Sequence, residues 1–348
     1  MRLISPQRKT AIVLFNLGGP DGPEAVRPFL YNLFFDPAII RVPRPLRWML
    51  ASLISRKRAP TAQKIYEELG GKSPIVENTQ AQCAALEATL SAHGAVKVFS
   101  AMRYWHPRAA EVVNEVKNWG ADQVILLPLY PQYSTTTTAS SVKEWQREAK
   151  KAGLTTPTRT ICCYPTQRDF IRAHAQLVRT YLEEARHHGS PRVLFSAHGL
   201  PEKIVKAGDP YQWQVEQTTR EVLREMADDA IDFVNCYQSR VGPLKWIGPS
   251  TEDEILRAAV EKKPIVLVPI AFVSEHSETL VELDIEYAEL AHSHGLDKYY
   301  RVPTLSVHAQ FIAGLADMCL AQENTTGCAA DTGGRICPKS FKNCGAAA

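Results

Sequence analysis

Short apolar runs alternate with longer amphipathic stretches along most of this chain. The runs predict strands at 11–16, 96–100, 123–128, 158–163, 192–196, 231–235, 264–270 and 298–302. The stretches between them predict helices, notably 107–119, 138–151, 167–187, 211–227, 276–292 and 307–321. Strands that are apolar along their whole length and separated by helices indicate parallel sheets covered on both faces. The sequence therefore predicts an α/β fold.

The second half of the chain repeats the order of the first. VLFNLGGP (13–20) resembles VLFSAHGLP (193–201), and VILLP (124–128) resembles IVLVP (265–269). Such self-similarity indicates a duplicated α/β domain, with a ligand site in the cleft between the halves. A length of 348 residues also favours two domains. We predict an N-terminal domain, a C-terminal domain and a cysteine-bearing tail at 1–157, 158–322 and 323–348.

His198 stands in the turn SAHGLP, directly after the apolar run RVLFS. A single histidine is often structural, but ligands of parallel sheets bind beyond the carboxyl ends of strands. That position favours a proton acceptor or a metal ligand. A G-x-S-x-G elbow is absent, which disfavours serine hydrolysis. NLGGPDGP (16–23) lacks the G-x-G-x-x-G spacing, so we interpret it as a tightly packed turn rather than a nucleotide site.

Three carboxylates follow the last long apolar run at four-residue intervals, at Glu278, Glu282 and Glu286. On a regular helix this spacing forms one nearly vertical row. A solvated helix face is the ordinary explanation. However, like charges at this spacing repel, and no Lys or Arg occurs at 275–297. With Glu275 and His276 beside it, the row suits stepwise transfer of protons or divalent cations, and clustered carboxylates raise one another's pKa.

Large apolar side chains recur near the predicted strand ends, where they either belong to the core or receive a flat apolar ligand. They are Leu17, Tyr66, Tyr104, Trp105, Tyr130, Trp246 and Phe272.

Composition restricts the partners of the chain. The net charge of +3, without a long Lys/Arg block, argues against nucleic acid. No apolar run is long enough to span a membrane, and the N-terminus MRLISPQRKT has no apolar signal region, so we expect a cytoplasmic protein. Residues 29–58 mix large apolar groups with arginines. This segment is either a lid packed on the core or a surface that touches the inner face of the membrane.

The tail carries Cys328, Cys337 and Cys344 at spacings that match no common zinc or ferredoxin pattern. Three thiolates in a Gly-rich tail suggest a metal or cluster that lacks one ligand, with Cys162 or Cys163 as the fourth. Free or zinc-bound thiols are the alternative.

Seven motifs, in order from about residue 11 to 320, resemble the ferrochelatase family. They are LFNLGGP, SPI after GGK, SAMRYWHP, LYPQYS, FSAHGLP, SRVGPLKWIGPST and VPIAFVSEHSETLVELDIEY. The resemblance implies two similar Rossmann-like domains with parallel sheets flanked by helices, and a porphyrin cleft between them. It also implies insertion of Fe²⁺ into protoporphyrin IX to give haem with release of two protons. The 29–58 segment matches the membrane-contacting lip of the family.

The resemblance assigns roles to individual residues. The essential histidine and glutamate fall on His198 and Glu278, which would also bind the Fe²⁺ substrate. Glu282, Glu286, Glu275 and His276 would form the proton or metal relay. The implied porphyrin pocket comprises Leu17, Tyr66, Ser73, Arg103, Tyr104, Tyr130, Trp246 and Phe272. Leu17 stands where animal members often have Met.

Some family members hold a [2Fe–2S] cluster on C-terminal cysteines and one internal cysteine. The internal ligand of animal members follows QYS, and that position is Thr135 here. We therefore expect a bacterial variant on Cys328, Cys337, Cys344 and Cys162 or Cys163. Coproporphyrin III, another tetrapyrrole or metal, and a haem-binding carrier remain alternatives, and the protein is expected to be a monomer or homodimer.

Overall fold

A computed structural model describes residues 8–240, 242–322 and 327–346. The chain forms two compact units. The first comprises Met1–Cys163, Leu315–Ile336 and Gly345–Ala348, and the second comprises Tyr164–Gly314 and Cys337–Cys344. The domain bounds inferred from the sequence stay a prediction. The N-terminal residues 1–7 used for the localisation argument, Val241 of the SRVGP motif, and tail residues 323–326 and 347–348 lie outside the described residues.

The first unit is built on a parallel sheet of five strands in the order β2-β1-β3-β4-β9. Its strands are β1 Thr10–Asn16, β2 Val96–Met102, β3 Gln123–Pro128, β4 Thr158–Ile161 and β9 Gly327–Ala329. Every residue of β1 and β3 is buried, as expected for central strands covered on both faces. The core packs Phe15 against Trp145, whose ring centroids are 6.1 Å apart.

The second unit is built on a parallel sheet of four strands in the order β6-β5-β7-β8. Its strands are β5 Arg192–His198, β6 Asp232–Gln238, β7 Ile265–Pro269 and β8 Tyr299–Arg301. Leu194, Ile265 and Leu267 on the sheet pack against Ile255 and Leu283 from the helical segments.

Helices connect the strands in both units. The α-helices are α1 Val26–Phe34, α2 Arg44–Glu67, α3 Ile75–Leu90, α4 Ala109–Trp119, α5 Thr138–Ala152, α6 Arg168–Arg186, α7 Glu202–Lys206, α8 Tyr211–Met226, α9 Thr251–Val260, α10 Ser277–Leu280, α11 Tyr287–Ser293 and α12 Ala309–Ala321. A π-helix, Glu282–Glu286, joins α10 to α11. No helix within the described ranges has both the length and the apolarity needed to cross a membrane.

The predicted α/β class and its parallel sheets are confirmed, and all eight predicted strands are present. Two features differ from the sequence analysis. Strand β9 was not predicted, because it has only three residues and pairs with a strand far away in the chain. The regular helix predicted over 276–292 is wrong, because a π-helix interrupts it.

Arg301, at the end of β8, fastens the segment that carries the predicted glutamates. Its Nη1 lies 2.6 Å from Oε1 of Glu275, and its Nε lies 2.6 Å from Oδ1 of Asp284. The backbone N–H of Thr304 donates to the same Glu275 oxygen at 2.9 Å. The Arg301 side chain is only 11% exposed, so these ion pairs are poorly screened by solvent.

We expect Arg301→Gln to destabilise the protein at pH 7 by about 2–3 kcal/mol, because it leaves the Glu275 carboxylate buried without its cation. Burial acts to raise the pKa of Glu275, but the charge of Arg301 and the nearby hydrogen bonds outweigh burial. The pKa of Glu275 is therefore lowered. A carboxyl group whose pKa is lowered in the folded state contributes stability above pH 4.5, its ordinary pKa. That contribution is lost as the pH falls through the folded-state pKa. The loss in free energy of unfolding caused by Arg301→Gln should therefore be smaller at pH 4 than at pH 7, because Glu275 of the variant becomes protonated as the pH falls.

Urea unfolding at both pH values measures this penalty. Arg224→Gln is the matched control, because Arg224 is 75% exposed and pairs with Glu221 at the surface. It should change the free energy of unfolding by no more than about 0.5 kcal/mol. Equal effects of the two substitutions would contradict the role given to Arg301.

Candidate active site

The carboxyl ends of the central strands place several polar side chains at one edge of the second unit's sheet. His198 ends β5 and is in register with Gln238, which ends β6. The chain leaving β7 runs through 270–275 to His276, and α10 then presents Glu278. Ligands of parallel sheets bind at this edge.

The carboxylate of Glu278 lies between two imidazole rings. Its Oε1 is 3.6 Å from Nε2 of His198, and its Oε2 is 3.4 Å from Nε2 of His276. The side chains of His198 and Glu278 are 39% and 29% exposed, whereas that of His276 is 8% exposed. A buried histidine therefore supports the glutamate from one side, and a more accessible histidine lies on the other.

Backbone carbonyls orient both rings. Nδ1 of His198 lies 2.7 Å from the carbonyl oxygen of Gly199, and Nδ1 of His276 lies 3.0 Å from that of Ser274. A carbonyl can only accept a hydrogen bond, so Nδ1 carries the proton in each ring. In the neutral form of His198, Nε2 is then the nitrogen that can take up a proton.

The electrostatics of this group favour a negative charge on Glu278. Burial acts to raise the pKa of Glu278, but His198 and His276 lower it to about 2. Burial acts to lower the pKa of His276, yet its hydrogen bond and charge interaction with Glu278 raise it. The expectation that clustered carboxylates raise one another's pKa is therefore wrong for Glu278, because the histidines outweigh the neighbouring acids.

Glu282 follows that expectation. Burial raises its pKa most, and the charge of Glu278 raises it further. Its carboxylate accepts hydrogen bonds from the backbone N–H of Ser239 at 2.8 Å, from Gln238 Nε2 at 3.1 Å and from the Tyr287 hydroxyl at 3.0 Å. Glu278 and Glu282 are four residues apart, yet their pKa values shift in opposite directions. That of Glu278 is lowered, and that of Glu282 is raised.

The π-helix changes the geometry of the predicted row. The N–H of Glu286 donates to the carbonyl of Val281 at 2.9 Å, five residues back, so one extra residue is accommodated in this turn. Glu278, Glu282 and Glu286 therefore do not form the straight row that a regular α-helix would give. Glu286 is exposed, and burial, together with Glu252 and Glu289, raises its pKa.

Glu275 has a different environment from the other acids. Its carboxylate binds Arg301, as described above, and its pKa is lowered. A carboxylate that is held in an ion pair is a poor proton carrier, so the geometry favours an anchoring function for Glu275 over the relay function suggested by the sequence.

Two predicted aromatic residues border the histidines. The ring centroid of Phe272 is 4.9 Å from that of His276. Trp246 is half-buried beside the turn after His198, and a Cβ on Gly199 would lie 3.2 Å from its ring and 3.0 Å from the Gln238 carbonyl. Only glycine fits this turn without displacing its neighbours.

The remaining pocket predictions fall in the first unit. Leu17, Tyr66 and Tyr104 share a hydrophobic cluster with α1 and α2, and Tyr130 packs partly buried against the main core. Ser73 is buried, and its backbone N–H donates to the carbonyl of Pro20 at 2.8 Å.

Arg103 and Tyr104 are held in a buried ionic network. Arg103 Nη2 lies 2.8 Å from Oδ2 of Asp36, and its Nη1 lies 2.9 Å from Oε2 of Glu144. The Tyr104 hydroxyl donates to Asp36 at 2.8 Å, and the Arg103 guanidinium lies 4.9 Å from the Tyr104 ring. Both residues therefore contribute to packing in this unit, a function that their motif did not reveal.

The cysteines divide between the units. Cys328 lies on β9 and is in register with Thr160 of β4, next to Ile161, Cys162 and Cys163. Cys337 and Cys344 belong to the second unit, where Gln214 Nε2 lies 3.1 Å from the Cys337 sulfur. Among the described residues, no group of three or more His, Cys, Asp and Glu side chains is arranged to hold a metal. The predicted cluster is therefore not shown.

Sequence reasoning missed the partners that set the properties of the acids. Ser239 and Gln238 lie within the CYQSRVGP motif at a predicted strand end, so their position was available. Tyr287 ends the acidic motif itself. Arg301 lies outside residues 275–297, and only the pairing of β7 with β8 brings it to Glu275.

Comparisons with known proteins identify the family of this chain. The family model described as Ferrochelatase matches residues 9–323. A protein named Ferrochelatase from Wolbachia sp. subsp. Drosophila simulans (strain wRi) is 55% identical over 314 residues, covering 90% of this chain and 99% of the relative. Another of that name, from Pelagibacter ubique (strain HTCC1062), is 50% identical over 340 residues, covering 97% of this chain and 98% of the relative.

A solved structure, SirB from Bacillus subtilis with Fe³⁺, has a TM-score of 0.50 and 13% identity, covering 89% of this chain and 93% of its own. At this identity the likeness concerns the fold alone. The family match and the relatives extend over nearly the whole chain. The chain therefore belongs to the ferrochelatase family and is an enzyme of the metal-chelatase class.

Proposed function

We propose that this enzyme inserts Fe²⁺ into protoporphyrin IX to form haem, the last step of haem synthesis. The observation that carries the proposal is the group His198, Glu278 and His276, with Glu282 next along the chain. Two pyrrole N–H bonds break, the two protons leave, and the four nitrogens bind one Fe²⁺. The reaction therefore needs a proton acceptor, a negative charge beside it and a route for protons.

In this proposal His198 accepts the pyrrole protons at Nε2, because its Nδ1 is committed to the Gly199 carbonyl. Glu278 remains anionic, since the histidines lower its pKa to about 2. It stabilises the imidazolium formed at His198 and the incoming Fe²⁺ substrate. His276 holds the opposite carboxylate oxygen and so keeps Glu278 in place.

Glu282 takes up protons after His198, because its raised pKa makes it a better base than Glu278. The exposed Glu286 then releases them to solvent. Glu275 is proposed to position the segment through Arg301 rather than to carry protons.

The macrocycle is proposed to contact Trp246 and Phe272, the predicted pocket residues that lie beside the histidines of the second unit. The pocket roles of Leu17, Tyr66, Ser73, Tyr130, Arg103 and Tyr104 in the first unit stay predictions, and Asp36 and Glu144 hold Arg103 in place there. The [2Fe–2S] cluster on the tail cysteines stays a prediction, and no step of the proposed reaction uses it.

We expect Glu278→Gln and His198→Ala each to lower kcat by about 100-fold or more, because one removes the anion and the other the base. Anaerobic incubation with Fe²⁺ and protoporphyrin IX, followed by loss of porphyrin fluorescence and gain of haem absorbance, measures the rate. Glu183→Gln, which changes an exposed carboxylate of α6, is the control and should keep wild-type turnover.

Near-normal turnover in both variants would remove the proposed roles. Turnover with coproporphyrin III but not protoporphyrin IX would reassign the substrate. Tight haem binding by the wild type without turnover would favour a carrier.

We expect Glu282→Gln to lower kcat by about tenfold and to change the acid limb of its pH profile, because the contribution of Glu282 to that limb is lost. Glu282 must be ionised to accept a proton, and its pKa is raised, so turnover of the wild type should fall as the pH drops through that value. A glutamine keeps hydrogen bonds to Ser239 but does not titrate. An unchanged acid limb in this variant would exclude Glu282 from the proton route.

We also propose that α2 contacts the membrane surface. Leu46, Trp48, Met49 and Leu53 on this helix are 41%, 59%, 52% and 62% exposed. Arginines and a lysine flank them at Arg44, Arg47, Arg56 and Lys57. Exposed apolar side chains beside basic ones suit an anionic lipid interface.

The double variant Trp48→Ser/Leu53→Ser should sediment with phosphatidylglycerol-containing vesicles at least about fivefold less than the wild type, because it removes the two most exposed apolar side chains of the helix. Val260→Ser is the control, since Val260 is 84% exposed on α9. Equal vesicle binding by the wild type and the double variant would exclude this surface.

A further inference from the structure

Gln238 is the last residue of β6, and its side chain is buried. A buried amide needs hydrogen-bond partners, and this one finds them in the acidic segment. Its Nε2 donates to the backbone carbonyl of Glu278 at 2.9 Å and to Oε2 of Glu282 at 3.1 Å. Both N–H groups of the amide are therefore used, and one side chain joins the backbone at Glu278 to the carboxylate of Glu282.

The side-chain oxygen of Gln238 is held from the other side. The Ser196 hydroxyl on β5 donates to it at 2.9 Å, and Ser196 Oγ lies 2.9 Å from Oγ1 of Thr251 at the start of α9. Ser196 and Thr251 are both fully buried. A flipped amide would turn its oxygen toward the Glu278 carbonyl and the ionised Glu282 carboxylate, which can only accept. The amide of Gln238 therefore has one favourable orientation.

The main chain of Gln238 contacts the turn that follows His198. Gln238 and His198 are in register on neighbouring strands, and the N–H of Gly199 donates to the Gln238 carbonyl at 2.8 Å. The Gly199 carbonyl in turn lies 2.7 Å from Nδ1 of His198. Gln238 thus holds the turn beside the histidine with its backbone and the two glutamates with its side chain.

Ser239, the next residue, also binds Glu282. Its φ is +59°, a left-handed conformation that costs free energy for a residue with a Cβ. In that conformation its N–H donates to Oε1 of Glu282 at 2.8 Å, and its hydroxyl donates to Oε2. Backbone strain of this kind persists where the surrounding contacts require it, and here those contacts include both oxygens of Glu282.

We propose that Gln238 is a positioning residue for chelation, because its side-chain amide sets the place of the Glu282 carboxylate relative to Glu278 and His198. Gln238 itself exchanges no proton and binds no metal. Without the amide, Glu282 loses one donor and its connection to the Glu278 backbone, so its carboxylate no longer has a fixed place. The inference rests on the proton-transfer roles proposed for His198 and Glu282.

A double-mutant cycle on kcat tests this inference. Gln238→Met keeps the length of the side chain but removes both donors. It should lower kcat by about three- to tenfold, the effect of a lost hydrogen bond, with KM for the porphyrin unchanged because the buried amide acts through Glu282. The double variant with Glu282→Gln should be no slower than Glu282→Gln alone, since both substitutions act on one connection.

Asn235→Leu is the matched control. Asn235 lies on the same strand, but its side chain accepts a hydrogen bond from the Thr219 hydroxyl on α8, at 2.6 Å. This variant also loses a partly buried hydrogen bond, and it should keep wild-type kcat. Wild-type kcat in Gln238→Met, or multiplication of the two single effects in the double variant, would overturn the proposal. If Gln238→Met does not fold, Ser196→Ala removes the anchor of the same amide, and wild-type kcat in that variant would overturn the proposal.

Amide hydrogen exchange at Ser239 gives a readout that does not depend on turnover. The Ser239 N–H donates to Glu282, so its exchange rate reports whether that carboxylate is in place. NMR should show exchange at Ser239 at least about threefold faster in Gln238→Met than in the wild type, and unchanged in Asn235→Leu. Unchanged exchange in Gln238→Met would overturn the proposal even if the wild type is an active chelatase. Faster exchange in a protein without chelatase activity would support the placement of Glu282 by Gln238 and count against the proposed function.

Discussion

The properties of this site depend on one carboxylate held between two imidazoles. Burial alone would favour protonated Glu278, but His198 and His276 each face one of its oxygens and keep it ionised. The surrounding structure maintains that arrangement. His198 lies at the end of β5, and the carbonyls of Gly199 and Ser274 orient the rings of His198 and His276. Arg301 binds Glu275 and Asp284 and so holds the segment that carries Glu278. Glu278 raises the pKa of the buried His276, and His276 lowers the pKa of Glu278, so each group favours the charged form of the other.

Glu278 and Glu282 show that neighbouring carboxyl groups acquire different chemistry from their surroundings. Glu278 has two nitrogen partners, whereas Glu282 has an amide, a hydroxyl and a phenol, together with the repulsion of Glu278. Pairs of titratable groups whose pKa values are driven apart are typical of acid–base sites. The π-helix contributes here, since one additional residue in the turn shifts Glu286 relative to the positions that a regular helix would give it.

Much of the fold follows from local pattern, and much of the site does not. Apolar runs located the first eight strands because a buried parallel strand needs an apolar residue at nearly every position. Strand β9 was missed because its residues, GCA, are small and do not form a run of large apolar side chains. The motif around Glu278 indicated a functional segment, but spacing alone assumed a regular helix and so predicted a straight row. The partners of the acids could not be predicted in the same way: Arg301 reaches Glu275 only through strand pairing, and Asp36 and Glu144 reach Arg103 from distant parts of the chain.

Strand β9 has a consequence for biosynthesis. It pairs with β4, although Gly327–Ala329 are synthesised long after β4 is complete at Ile161. While the rest of the chain is made, the outer edge of β4 presents unpaired backbone groups, which is the kind of edge that recruits other strands. Because β4 has only four residues and carries Arg159 next to two threonines, the edge is short and polar. A nascent chain of this protein therefore has a short, polar and unpaired edge in its first sheet until β9 is made and pairs with it.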